Sequence, residues 1–86
     1  MGTVMQAEEQ IRHVLRDYGR LTQDVSQLAT SADLYQLGLT PDAAGNVMLA
    51  LEATFEIEFP DDSLQANVFR NIESITRVVG ELTSSH

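Results

Sequence analysis

Thr40-Pro41-Asp42-Ala43-Ala44-Gly45-Asn46-Val47-Met48-Leu49-Ala50-Leu51-Glu52-Ala53-Thr54-Phe55 is the stretch from which the fold is read. The Thr40 hydroxyl is placed to cap a helix. Pro41 at the first helical position gives up an amide that has no intrahelical partner there, and Asp42 meets the positive end of the helix dipole. Ala44, Val47, Met48, Leu51 and Phe55 then recur at helical spacing, with Gly45, Asn46, Leu49, Glu52 and Glu56 mostly on the other faces. The spacing predicts a helix running to about Glu56, and Pro60 forbids its continuation.

Towards the N-terminus, Ile11, Val14, Leu15 and Tyr18 recur at three- and four-residue steps, while Arg12, Arg16 and Arg20 share another stripe. This predicts an amphipathic helix from about Gln6 to Arg20. Thr22 to Asp33 lacks sustained periodicity and reads as a long loop, pinned to the core by Val25 and Leu28. Asp33 to Leu39 reads as one helical turn that points Leu34, Leu37 and Leu39 inward and is broken at Gly38.

Towards the C-terminus, Asp61-Asp62-Ser63 reads as a turn capping a short helical piece around Leu64 to Phe69. Asn71 opens a last helix with the stripe Ile72, Ile75, Val78, Val79 and Leu82, and residues 83–86 should fray. Phe55-Glu56-Ile57-Glu58-Phe59 alternates, but it is short and has no partner strand, so it reads as a helix end whose three apolar residues plug the core. The expectation is an all-α bundle of four helices, three long and one short third helix, with the longest loop between helices 1 and 2. It forms one domain over residues 1–86 with an ordered core of about 6–82.

Composition narrows the function. The chain of 86 residues is 43% hydrophobic, enough for one modest core, and carries 13 acidic residues against five arginines and no lysine, for a net charge of −8. Such a surface repels phosphate backbones and anionic lipid, so neither nucleic acid nor a membrane is an expected partner. There is no cysteine, no signal-like leader and no long apolar run, so the expected setting is the cytoplasm.

No arrangement of residues points to catalysis. Ser26, Ser31, Ser63, Ser74, Ser84 and Ser85 have no His–acid pair in a motif, and neither His13 nor His86 has a plausible nucleophile or metal partner. The acids Asp42, Glu52, Glu56, Glu58, Asp61 and Asp62 fall within one stretch that has no base and no calcium-loop spacing. They read either as a solvated face or as a docking surface for Arg- or Lys-rich partners, whose association would weaken with salt. No enzyme activity and no metal site are expected.

The pattern Asp33-Leu34-Tyr35-Gln36-Leu37-Gly38-Leu39, Thr40-Pro41-Asp42, Leu51-Glu52, Phe55 and Glu56-Ile57-Glu58-Phe59-Pro60-Asp61 resembles the acyl carrier proteins without a gap. Its last part, with Leu64, Phe69, Ile72 and Ile75, is closest to bacterial carriers, some of which receive amino acids from ligases resembling seryl-tRNA synthetases. The resemblance implies that 4′-phosphopantetheine would be attached at the serine of an Asp-Ser-Leu motif. Thr40, Pro41 and Asp42 stand in those three places, so the attachment position holds a residue without a hydroxyl. It further implies a partner-docking face made of Asp42, Gly45, Asn46, Leu49, Glu52 and Glu56.

Three functions follow as expectations. The first is a monomeric, carrier-like binding protein with no cofactor, docking on a basic-surfaced carrier-dependent enzyme such as an acyl or aminoacyl ligase, synthase or transferase. The second is a working carrier bearing 4′-phosphopantetheine on an atypical hydroxyl, Thr40. The third is an unrelated small acidic helical binding protein.

Overall fold

The computed structural model describes residues 3–63 and 67–84. It is all-helical among these residues: α1 (Thr3–Val14), α2 (Pro41–Phe55) and α3 (Ile72–Ser84), with no strand. One π turn, Leu15–Gly19, continues α1, and one 3-10 turn, Val25–Gln27, interrupts the segment leading to α2. The short helix expected around Leu64 to Phe69 lies partly on residues 64–66, outside the described residues; residues 67–70 form a turn closed by Arg70 N–H donating to Asn67 O.

The helices form for the reasons their sequences suggest. α1 packs along α3, and α2 lies chiefly against the π turn. Ile11, Val14 and Leu15 meet Val47 and Leu51 of α2 and Ile72, Ile75 and Val79 of α3 in one buried cluster. Met48, Phe55, Ile57, Val78 and Leu82 are half-buried against it. Phe59 and Phe69 close one side with ring centroids 5.3 Å apart at a tilt of 56°, within the range favoured by aromatic quadrupoles.

Tyr18 departs from the expected stripe: it is 48% exposed, while Gly19 is buried. A π turn takes one residue more than an α turn, so the inward position five residues after Val14 falls on Gly19 and Tyr18 swings outward. A Cβ built on Gly19 would lie 3.6 Å from Leu15 and 3.7 Å from both Leu21 and Leu39, so the backbone itself packs against these leucines. Arg20 follows with φ 55° and ends the turn in the left-handed region.

Residues 20–40 are held by polar ties and by buried apolar side chains. Arg12 Nη1 donates to Val25 O at 2.7 Å and to Leu28 O at 2.9 Å, while its Nε donates to Glu8 at 3.2 Å. Arg12 is therefore an anchor for this segment, a role that the arginine stripe did not suggest. Thr22 donates to Leu37 O from both its amide, at 3.1 Å, and its hydroxyl, at 3.0 Å. Leu34 N–H reaches Arg70 O at 2.7 Å, and Glu73 N–H in the first turn of α3 reaches Thr30 O at 3.0 Å. Val25, Leu28, Leu34 and Leu39 are buried in the common core, and Leu37 is half-buried against it.

Candidate functional site

The start of α2 is built by three neighbouring residues. Thr40 is extended, at φ −95° and ψ 162°, and its Oγ1 accepts a hydrogen bond from Ala43 N–H at 3.1 Å while its carbonyl accepts from Ala44 N–H at 2.8 Å. Pro41 is exposed at the first helical position, and Asp42 is exposed in the first turn. The hydroxyl thus satisfies one of the amides that a helix start leaves without a partner. Pro41, where the carrier resemblance expects the attachment serine, has only carbon atoms in its side chain.

Arg20 shares a hollow of about 280 Å³ with Thr40, Asp42, Ala43 and Asn46. The opposite charges of Arg20 and Asp42 flank the helix start, so this corner is mixed in sign rather than purely acidic.

The six residues of the expected docking face have different fates. Asp42, Asn46 and Leu49 are exposed on α2, Leu49 by 60%, and Gly45 between them is half-buried with no atom within 4 Å of where a Cβ would sit. Glu52 is half-buried, and its Oε2 accepts a hydrogen bond from Phe59 N–H at 2.9 Å. Glu56 lies one residue past the helix, at φ 54°, and its N–H donates to Glu52 O. Ile57 N–H donates to the same carbonyl at 3.1 Å. Glu52 and Glu56 therefore help to close the C-terminal end of α2.

Sequence reasoning missed the outward turn of Tyr18. Tyr18 and Leu49, the large hydrophobic residues exposed among the described residues, line one cleft of about 480 Å³ with Asn46 and Ala50. A second cleft of about 640 Å³ runs between α1 and α2 and shares Tyr18 and Ala50, with Glu9, His13 and Asp17 on its α1 side. The available signal is Gly19, a residue without a side chain at the end of an apolar stripe.

Ionisable groups elsewhere are tuned by local contacts. Asp24 holds its carboxyl below the usual value because it accepts hydrogen bonds from the Ser26 hydroxyl at 2.8 Å and amide at 3.0 Å. Partial burial, with a smaller contribution from Asp33, raises the Tyr35 phenol above its usual value. Ser63 is buried, and its Oγ has no hydrogen-bond partner among the described residues. No group of His, Asp and Glu among the described residues is placed to hold a metal ion, and no described helix is long and apolar enough to cross a membrane.

No protein-family model matches the chain. It is 41% identical over 69 residues to the aminoacyl carrier protein of Agrobacterium fabrum, covering 80% of this chain and 83% of that protein. Its fold superposes with a TM-score of 0.80, at 38% identity, on a chain in the crystal structure of an engineered Bradyrhizobium japonicum glycine:[carrier protein] ligase complexed with carrier protein from Agrobacterium tumefaciens and AMP. That match covers 85% of this chain and 97% of the other. The corresponding complex with ATP gives a TM-score of 0.81 at 37% identity, over 87% and 97% of the two chains. A solution structure from Agrobacterium tumefaciens gives 0.69 at 38% identity, over 86% and 89%. Carrier proteins are not enzymes themselves. Its sequence and its helical architecture both place the chain in the family of acyl and aminoacyl carrier proteins.

Proposed function

We propose that this chain is a carrier homologue that carries no phosphopantetheine and works by docking on a carrier-dependent ligase, in the manner of a regulatory or interaction paralogue. The observation that carries this reading is Pro41 at the start of α2. Attachment needs a hydroxyl oxygen as nucleophile, and a proline side chain supplies none. The adjacent Thr40 hydroxyl is engaged in capping, and the residues on either side of Pro41 also differ from the family's Asp and Leu. The apolar core and the helix termini remain intact around this changed site, which is the pattern expected of a chain kept for its shape. The ligase in complex with the Agrobacterium tumefaciens carrier supplies the partner class.

On this reading the molecule acts as a single domain with the four-helix arrangement of a carrier. It binds as a monomer through the exposed part of α2, meeting basic groups on the enzyme with Asp42. Any chemistry belongs to the enzyme.

Intact mass spectrometry tests the reading, after incubation with coenzyme A, Mg²⁺ and a broad-specificity phosphopantetheinyl transferase, with the Agrobacterium carrier as positive control. The expected result is an unchanged mass beside a fully converted control. A gain of one phosphopantetheine would make the chain a working carrier, and loss of that gain in Thr40→Val would locate the arm.

A further inference from the structure

The surface of α2 does not end at α2. Tyr18 and Leu49 come from separate elements, the π turn and α2, yet their exposed side chains line one hollow with Asn46 and Ala50. An α-helical continuation of α1 would carry position 18 towards the core; the extra residue of the π turn instead gives the buried place to Gly19 and presents the phenol ring at the surface. Paired exposed apolar side chains in a concavity, with acids around them, have the form of an interface centre rather than of scattered surface residues.

The charges around the hollow select its occupant. Glu9 lines the adjoining cleft that shares Tyr18 and Ala50, and Asp42 lines the hollow that shares Asn46; neither has an ion pair among the described residues. Asp17 is paired with Arg16 at 3.4 Å, and Arg20 lies beside Asp42 in the third hollow, so the excess acid is carried by Glu9 and by the chain's net charge of −8. A second copy of this chain would bring the same acids against these and be repelled. A partner helix presenting an apolar side chain between Arg or Lys residues is complementary in both respects.

We propose that the docking enzyme seats such an apolar side chain in the hollow between Tyr18 and Leu49, so that the recognition surface spans the π turn as well as α2. The inference rests on the reading of the chain as a ligase-docking carrier homologue, and it adds Tyr18 and Glu9 to the residues that recognise the ligase.

The test is the affinity of the full chain for the engineered Bradyrhizobium japonicum glycine:[carrier protein] ligase, with the Agrobacterium carrier as a binding control. Tyr18→Ser should weaken binding by about tenfold and Tyr18→Phe by less than about twofold, as expected of an aromatic interface anchor. Glu9→Lys should slow association and flatten its salt dependence, and unchanged far-UV circular dichroism would show that each variant remains folded. Binding that is lost with Leu49→Ser or Asp42→Lys but unaffected by Tyr18→Ser would confine docking to α2; the inference would fail and the docking reading would stand. A wild-type chain that ignores the ligase while the control binds would overturn both. Self-association in sedimentation that disappears with Tyr18→Ser would make a second copy the occupant and also overturn the inference.

Discussion

Glu52 accepts a hydrogen bond from the backbone N–H of Phe59, seven residues away, at 2.9 Å. The carboxylate thereby ties the end of α2 to the segment that delivers Phe59 into the core, where it meets Phe69. Glu52→Ala should lower stability by about 1–2 kcal/mol, through loss of a charge-assisted bond and an amide left without its partner. Glu52→Gln, which keeps an acceptor oxygen, should recover at least half of that loss. Urea midpoints compare the three proteins. Equal midpoints for Glu52→Ala and wild type would mean that Glu52 is free for docking after all.

Arg12 bridges Val25 O and Leu28 O with one nitrogen. Arg12→Met keeps much of the aliphatic stem but leaves both carbonyls without the guanidinium, which should cost about 2–3 kcal/mol. Hydrogen exchange read by mass spectrometry should show faster exchange in residues 22–32, while α3 keeps its ranking among the protected segments. Uniform acceleration across the chain would mean that the arginine stabilises the whole fold rather than this segment.

Gly45 lies in the interior of α2 with open space where a Cβ would sit. Gly45→Ala should therefore raise stability by about 0.5–1 kcal/mol, the difference in helix propensity between the two residues. The same variant reports on docking, because a partner helix lying against the Gly45 backbone would be pushed away by the added methyl. A higher thermal midpoint with weaker ligase binding would place Gly45 inside the footprint; a higher midpoint with unchanged binding would place it outside.

Tyr35 contributes to the alkaline limb of stability. Burial lifts its folded-state pKa above the unfolded value, so its neutral form is preferred in the folded protein. That contribution is fully present below the unfolded pKa of about 10 and is lost as pH rises through the higher folded value. Urea unfolding between pH 9 and 11 should show this decline, and Tyr35→Phe should flatten it. A decline of the same slope in Tyr35→Phe would assign the alkaline loss to other groups.

Where apolar spacing was regular, the sequence was legible. Thr40-Pro41-Asp42 located the start of α2 to the residue because cap, proline and acid each act within one turn. The stripe Ile72, Ile75 and Val79 located the buried face of α3 because burial there follows the helical period. Tyr18 was misplaced because a change of helical pitch leaves no mark in composition. The anchoring role of Arg12 was not legible because a guanidinium that bonds main-chain carbonyls has no particular partner residue to look for. Glu52 reads from the sequence as a solvated or docking side chain, since its contact with Phe59 depends on how the chain bends after α2. The expected docking face was therefore legible as a helix and only partly legible as a set of free side chains.

The π turn at Leu15–Gly19 also bears on how this chain is compared with others. A π turn takes up one residue more than an α turn, so deleting a single position between 15 and 19 would allow an ordinary helical continuation. Two chains that differ by one residue at this point can thus share every core position and still disagree about which side chain faces outward. Length variation here changes what the surface displays while leaving the interior alone, and an alignment that places its gap one turn away would hide that change.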